Sequence, residues 1–170
     1  MTSGERGPSQ RHESPGSDTA ASTPGADAAG ARDAALLLMA KMAAVDGAIA
    51  DEERESLAEM SQACGVDRAV DATLAAAAEA SVEDLCARLD RYEDRFFVAL
   101  RAYMLARSDT DFSSDERALY RDLVDRLGIS ELDQALIRRV ESAARAITPR
   151  PVPRRVEELY ARSSFAPQDR

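Results

Sequence analysis

The chain has no tryptophan, one lysine, one histidine and two cysteines in 170 residues. Each scarcity closes off a chemistry. The histidine, His12, lies in a Ser/Gly/Pro-rich stretch, so a His-ligated zinc centre or a His-based catalytic triad is not expected. Cys64 and Cys86 are too few for a disulfide framework and do not stand at metal-ligand spacing. Cys64 falls on an apolar helical stripe and reads as a buried free thiol. Aromatic residues make up only 5% of the chain, so its core must be aliphatic and rich in alanine. There is no long hydrophobic run. The longest, Ala34 to Val45, is broken by Lys41 and falls short of the ~20 residues that span a bilayer. Residues 1–30 contain no apolar stretch of the kind found in secretory signals. The expectation is a cytoplasmic protein without a membrane span. No glycine-rich phosphate loop or nucleophile elbow occurs, so no enzymatic activity is expected. The net charge of −9 argues against nucleic acid as a partner, because phosphate backbones are held by basic surfaces.

What is present is a stretch that occurs twice. Asp46-Gly47-Ala48-Ile49-Ala50-Asp51-Glu52-Glu53-Arg54 runs on to Cys64-Gly65-Val66. Asp109-Thr110-Asp111-Phe112-Ser113-Ser114-Asp115-Glu116-Arg117 runs on to Leu127-Gly128-Ile129. A constant offset of 63 aligns Asp46 with Asp109, Glu53 with Glu116 and Gly65 with Gly128. Apolar positions follow: Ile49 on Phe112, Leu57 on Tyr120, Met60 on Leu123. The reading is a duplicated helix–acidic loop–helix unit.

Residues 1–31 carry too little apolar surface to offset the entropy of ordering them, and read as a disordered tail. A central buried helix is expected from about Arg32 to Val45, apolar on nearly every face. A second runs from Asp51 to Cys64 and closes at Gly65, with Val66 as its hydrophobic partner. Helices over about 68–80, 81–89 and 91–107 follow. The sixth starts at Ser113-Ser114-Asp115-Glu116. The seventh starts at the capping box Ser130-Glu131-Leu132-Asp133 and is expected to bury Leu132, Leu136, Ile137, Val140 and Ile147. Thr148-Pro149-Arg150-Pro151-Val152-Pro153 breaks it. A short segment, Arg154 to Ser163, follows with Val156, Leu159 and Tyr160 at helical spacing, suited to dock on its own domain or on a partner. No strand-like alternation appears. The fold class is all-α: one domain of about seven helices over residues 32–147, built from two related halves, with a Pro-rich hinge and short helix over 148–170.

The two acidic junctions are the candidate site. In each, an aspartate ends one helix and a glutamate seven residues later opens the next. Two such junctions would bring Asp46, Glu53, Asp109 and Glu116 together, with Asp51, Glu52, Asp111 and Asp115 near them. An all-oxygen shell suits Ca²⁺ or Mg²⁺ better than Zn²⁺. A standard EF-hand is excluded, because its first and third loop positions would fall on Met42 and Ala44, or on Leu105 and Arg107. The same carboxylates also suit a purely local role. Acidic residues in a first turn favour the helix dipole, Ser113 with Glu116 forms a capping box, and Arg54 and Arg117 are placed to pair with Asp46 and Asp109.

The pattern of a long apolar helix into Asp-Gly-x-Ile-x-x-Glu-Glu-Arg, then Leu-x-x-Met and a Gly-capped end, resembles the TerB-like (tellurite-resistance protein B) superfamily. That group includes tellurite-resistance proteins and the amino-terminal domain of a DnaJ-type membrane co-chaperone. The resemblance covers roughly residues 32–147. It implies an all-helical domain with two pseudo-symmetric halves, and a cytoplasmic stress-response module working in a protein complex, including a peripheral membrane complex. It also implies a divalent-cation site at Asp46, Glu53, Asp109 and Glu116. Thr110 stands where the first copy has Gly47, which brings in Asp111 as an alternative ligand to Asp109. The other reading is a metal-free interaction scaffold, using an exposed groove or the Pro-hinged last segment.

Overall fold

The computed structural model describes residues 24–47, 49–107, 112–144, 146 and 151–166. Among them are eight helices and no strand: α1 (Pro24–Ala43), α2 (Asp51–Cys64), α3 (Val70–Glu79), α4 (Val82–Ala87), α5 (Tyr92–Ala106), α6 (Ser114–Arg126), α7 (Glu131–Ala144) and α8 (Arg154–Arg162).

α1 is the hub. It packs most extensively against α5 and α3, and also against α2, α4 and α6. Ala34, Ala35, Leu36, Leu38, Met39 and Ala40 are buried on every side of it, as an all-round apolar helix requires. The helix begins at Pro24, eight residues ahead of the expected start. Ala31, assigned to the tail from sequence, is buried in the core. Proline fits a first helical turn, where its missing N–H is not needed, and alanine is the best helix former. α5 is the second buried rod, with Phe96, Val98, Ala99, Ala102 and Ala106 inside. Small side chains at helical spacing let neighbouring backbones approach closely.

The two acidic junctions are spaced 63 residues apart, while the starts of α1 and α5 and the ends of α2 and α6 are not. α1 and α5 end at Ala43 and Ala106, and α2 and α6 begin at Asp51 and Ser114. Both second helices close in the same way. Gly65 and Gly128 have φ of 65° and 62°, a left-handed conformation that glycine adopts without a Cβ penalty. The Val66 N–H donates to Ser61 O at 2.9 Å and the Ile129 N–H to Val124 O at 3.1 Å.

α7 departs from expectation. Leu132 is 72% exposed, whereas Asp133, Ile137 and Glu141 form the buried stripe. These three recur every four residues, so they share one face, and Leu132 lies about 100° away from it. The Asp133 carboxylate turns inward because α8 supplies a cation for it. Arg155 donates to it through Nε at 2.6 Å and Nη2 at 2.7 Å, and the Tyr92 hydroxyl through a third bond at 2.6 Å. Leu136 and Val140 are half-buried against the core; Ile147 lies outside the described residues.

α8 docks on α5 of its own domain. Val156 and Leu159 are buried, and Phe165 beyond the helix stacks on Phe97 with ring centroids 4.3 Å apart. The following chain is clamped at Ser164. Its N–H and hydroxyl donate to buried Asp94 at 2.6 and 2.8 Å, and its carbonyl accepts from Arg32 Nε at 2.8 Å. Asp33 of α1 pairs with Arg68 and Arg88, each at 2.8 Å, tying the α2–α3 link and the end of α4 to the hub.

Candidate functional site

Both acidic junctions lie at helix starts, and the described part of each is built for capping. Ser113 has φ −62° and ψ 165°, extended backbone that opens α6. Its hydroxyl accepts the Glu116 N–H at 3.1 Å, and Glu116 Oε2 accepts the Ser113 N–H at 2.7 Å. This is a complete capping box. At the first junction Ala50 has almost the same backbone, φ −67° and ψ 159°, but no side-chain acceptor. Only the glutamate half survives there, with Glu53 Oε2 accepting the Ala50 N–H at 2.9 Å.

The other candidates are distributed around these caps. Asp46 is exposed in the turn after α1, where Gly47 takes φ 86°. Asp51 and Glu52 are exposed in the first turn of α2, and Asp115 in that of α6. Asp109 and Asp111 lie outside the described residues. Among the described residues no three acidic, His or Cys side chains gather to hold an ion. The described carboxylates of the first junction do not by themselves fit Ca²⁺, which takes six to eight oxygens, and one Glu53 oxygen is already engaged by a backbone N–H. Among the described residues, Arg54 pairs with Asp71 of α3 at 2.8 Å, and Arg117 donates to Ser113 O at 3.3 Å and lies over the Phe112 ring; the expected partner of Arg117, Asp109, lies outside the described residues.

Both thiols are buried, Cys86 at the edge of a hollow of about 410 Å³. Burial pushes both Cys64 and Cys86 up to about 11, against partial opposition from nearby arginines. Both are therefore protonated at neutral pH, and the thiolate is the reactive form.

Three features are missed from the sequence alone. Two are the Asp133 and Asp94 clusters that hold the C-terminal segment. The traces of the first are the capping box Ser130–Asp133 and the four-residue spacing Asp133–Ile137–Glu141. The third is a cleft of about 260 Å³ between α2 and α5, lined by Met39, Met60 and Met104 with Arg101 and Glu59. A second hollow of about 300 Å³, between α5 and α8, shares Arg101 and Met104 with it.

An all-helical module with two capped acidic junctions and an open apolar cleft is a class of fold rather than an activity. The family model of tellurite resistance protein TerB matches residues 32–139, and the chain belongs to that family. The match ends before α8, so the docked C-terminal helix lies beyond it. No curated protein and no solved structure matches the chain. Among the described residues, no helix is long and apolar enough to cross a membrane.

Proposed function

We propose that the chain is a non-enzymatic binding module of the TerB family, acting in a protein complex of a stress response, with its acidic helix starts serving as caps. The observation that carries this reading is the open, methionine-lined cleft between α2 and α5. Thioether side chains adapt to varied apolar partners, and concave apolar surface with a few polar groups is where ligands bind. The raised thiol pKa values support a role without a cysteine nucleophile. In-cell crosslinking of the full chain followed by size exclusion tests the reading. A defined partner should co-elute at fixed stoichiometry. Recovery only as the free chain refutes it.

A second reading keeps the divalent cation. It is favoured by the exposed carboxylates of Asp46, Asp51 and Glu52 around the first junction, oxygen donors of the kind Ca²⁺ and Mg²⁺ take. It requires Asp109 or Asp111, with Glu116, to complete the shell. Saturable calcium or magnesium binding, lost on Asp46→Ala/Asp109→Ala, would establish it.

A further inference from the structure

The geometry points to the depression along α5 as the seat of one amphipathic helix from a partner protein, with basic residues on both edges of its apolar face and a carboxylate between them. This inference rests on the binding-module reading and names the partner's chemistry. α2 packs on α1 and α3, while α5 packs on α1, α6, α7 and α8. Arg101 and Met104 line both the α2–α5 cleft and the α5–α8 hollow, so the two adjoin across these side chains. α5 is the floor, and α2 and α8 are the walls. Three of the chain's five methionines line the α2 side. On the α8 side the lining is Phe97, Leu100 and Val156.

The fold shows what this flank of α5 accepts. α8 lies on it with Val156 and Leu159 buried three residues apart, while Arg155 reaches a core carboxylate. The open part offers the same chemistry with its charges unused. Glu59 stands on the α2 wall, Arg101 on the floor and Glu157 on the α8 wall. Among the described residues, none of these three side chains makes a hydrogen bond or ion pair. The order is negative, positive, negative. A helix that covers it must present the complementary order or leave charges buried without partners, which is costly. Complementary charge sets register and partner choice more than raw affinity.

The test uses the full chain and two fluorescent helical peptides of about 18 residues, long enough to cover α5. Both carry the same apolar face. One has the basic–acidic–basic order and the other the reverse. The first should bind roughly tenfold more tightly, about the worth of one good ion pair at an interface. Arg101→Glu should weaken it by a similar factor, and replacing the peptide's central carboxylate with lysine should restore binding to that variant. Circular dichroism melting confirms that the variant is folded. Equal affinity for both peptides, no saturable binding by either, or indifference to Arg101→Glu overturns the inference. A crosslinked partner whose recovery ignores Arg101→Glu would overturn this seat while leaving the module reading intact; the absence of any defined partner would remove both.

Discussion

Replacing Asp133 with alanine removes the pin that holds α8 to the body of the molecule. The carboxylate is fully buried and accepts four side-chain hydrogen bonds, two from Arg155, one from Tyr92 and one from Ser130. Breaking a buried ion pair costs about 3–5 kcal/mol. Arg155, however, is half exposed and regains water when its partner is lost, and Ser130 is exposed. The net loss should be about 2–3 kcal/mol. At roughly 2–4 °C per kcal/mol for a domain of this size, the melting temperature falls by about 5–10 °C. Arg155 holds the Asp133 carboxyl below the usual carboxylate range, its hydrogen bonds outweighing the opposing effect of burial. A group whose native pKa is depressed contributes its full stability above the unfolded value, near 3.9. It loses that stability as pH falls through the native value. The gap between wild type and variant should therefore be the same at neutral pH and at about pH 5, and narrow only in stronger acid. Thermal melts followed by the helical circular dichroism signal, across pH, give the answer. A variant that melts within about 1 °C of wild type at neutral pH, against the shift expected above, refutes the reasoning. So does a gap that closes before about pH 5.

The difference between the two helix starts yields a gain of stability. Ala50→Ser places a hydroxyl on backbone already matching that of Ser113, and should stabilise the fold by about 1 kcal/mol in chemical denaturation. Glu116→Ala removes the acceptor of the Ser113 N–H while the backbone N–H of residue 116 keeps its bond to Ser113 Oγ, and should cost about 1 kcal/mol or less. The buried thiol of Cys64 should react with a disulfide reagent at mildly alkaline pH only as fast as the fold opens, and at once in denaturant. Fast native-state labelling of Cys64 would contradict its burial.

The helical class and most helix ends were legible because local signals set them. Gly65 and Gly128 end their helices through a backbone conformation written in one residue. Ser113 and Glu116 announce a start through a three-residue spacing. The all-apolar run from Ala34 had to be central because no face of it tolerates water. Where the reading failed, the deciding interaction was distant in sequence. Leu132 looked like core beside Asp133, and hydrophobicity alone favours burying it. The choice reversed because Arg155, 22 residues on, supplies a cation that makes burying the carboxylate favourable. The early start of α1 was hidden for the same reason, since Ala31 is buried by neighbours rather than by its own hydrophobicity. The methionine cleft could not be foreseen from either flank, because Met39, Met60 and Met104 meet only when three helices pack. At the acidic junctions the sequence held both readings, capping and cation binding, and the hydrogen bonds of Glu53 and Glu116 favour capping.

The most direct measurement is a calorimetric titration of the metal-stripped full chain with Ca²⁺, Mg²⁺, Mn²⁺ and Zn²⁺, run beside Asp46→Ala/Asp109→Ala and paired with melting curves in chelator. If the acidic helix starts are caps in a metal-free binding module, no ion gives a saturable isotherm and the melting temperature is unmoved by cation or chelator. A saturable isotherm that disappears in the double variant, with a melting temperature that rises with that ion as native-state binding requires, would contradict the account and make the junctions a cation site.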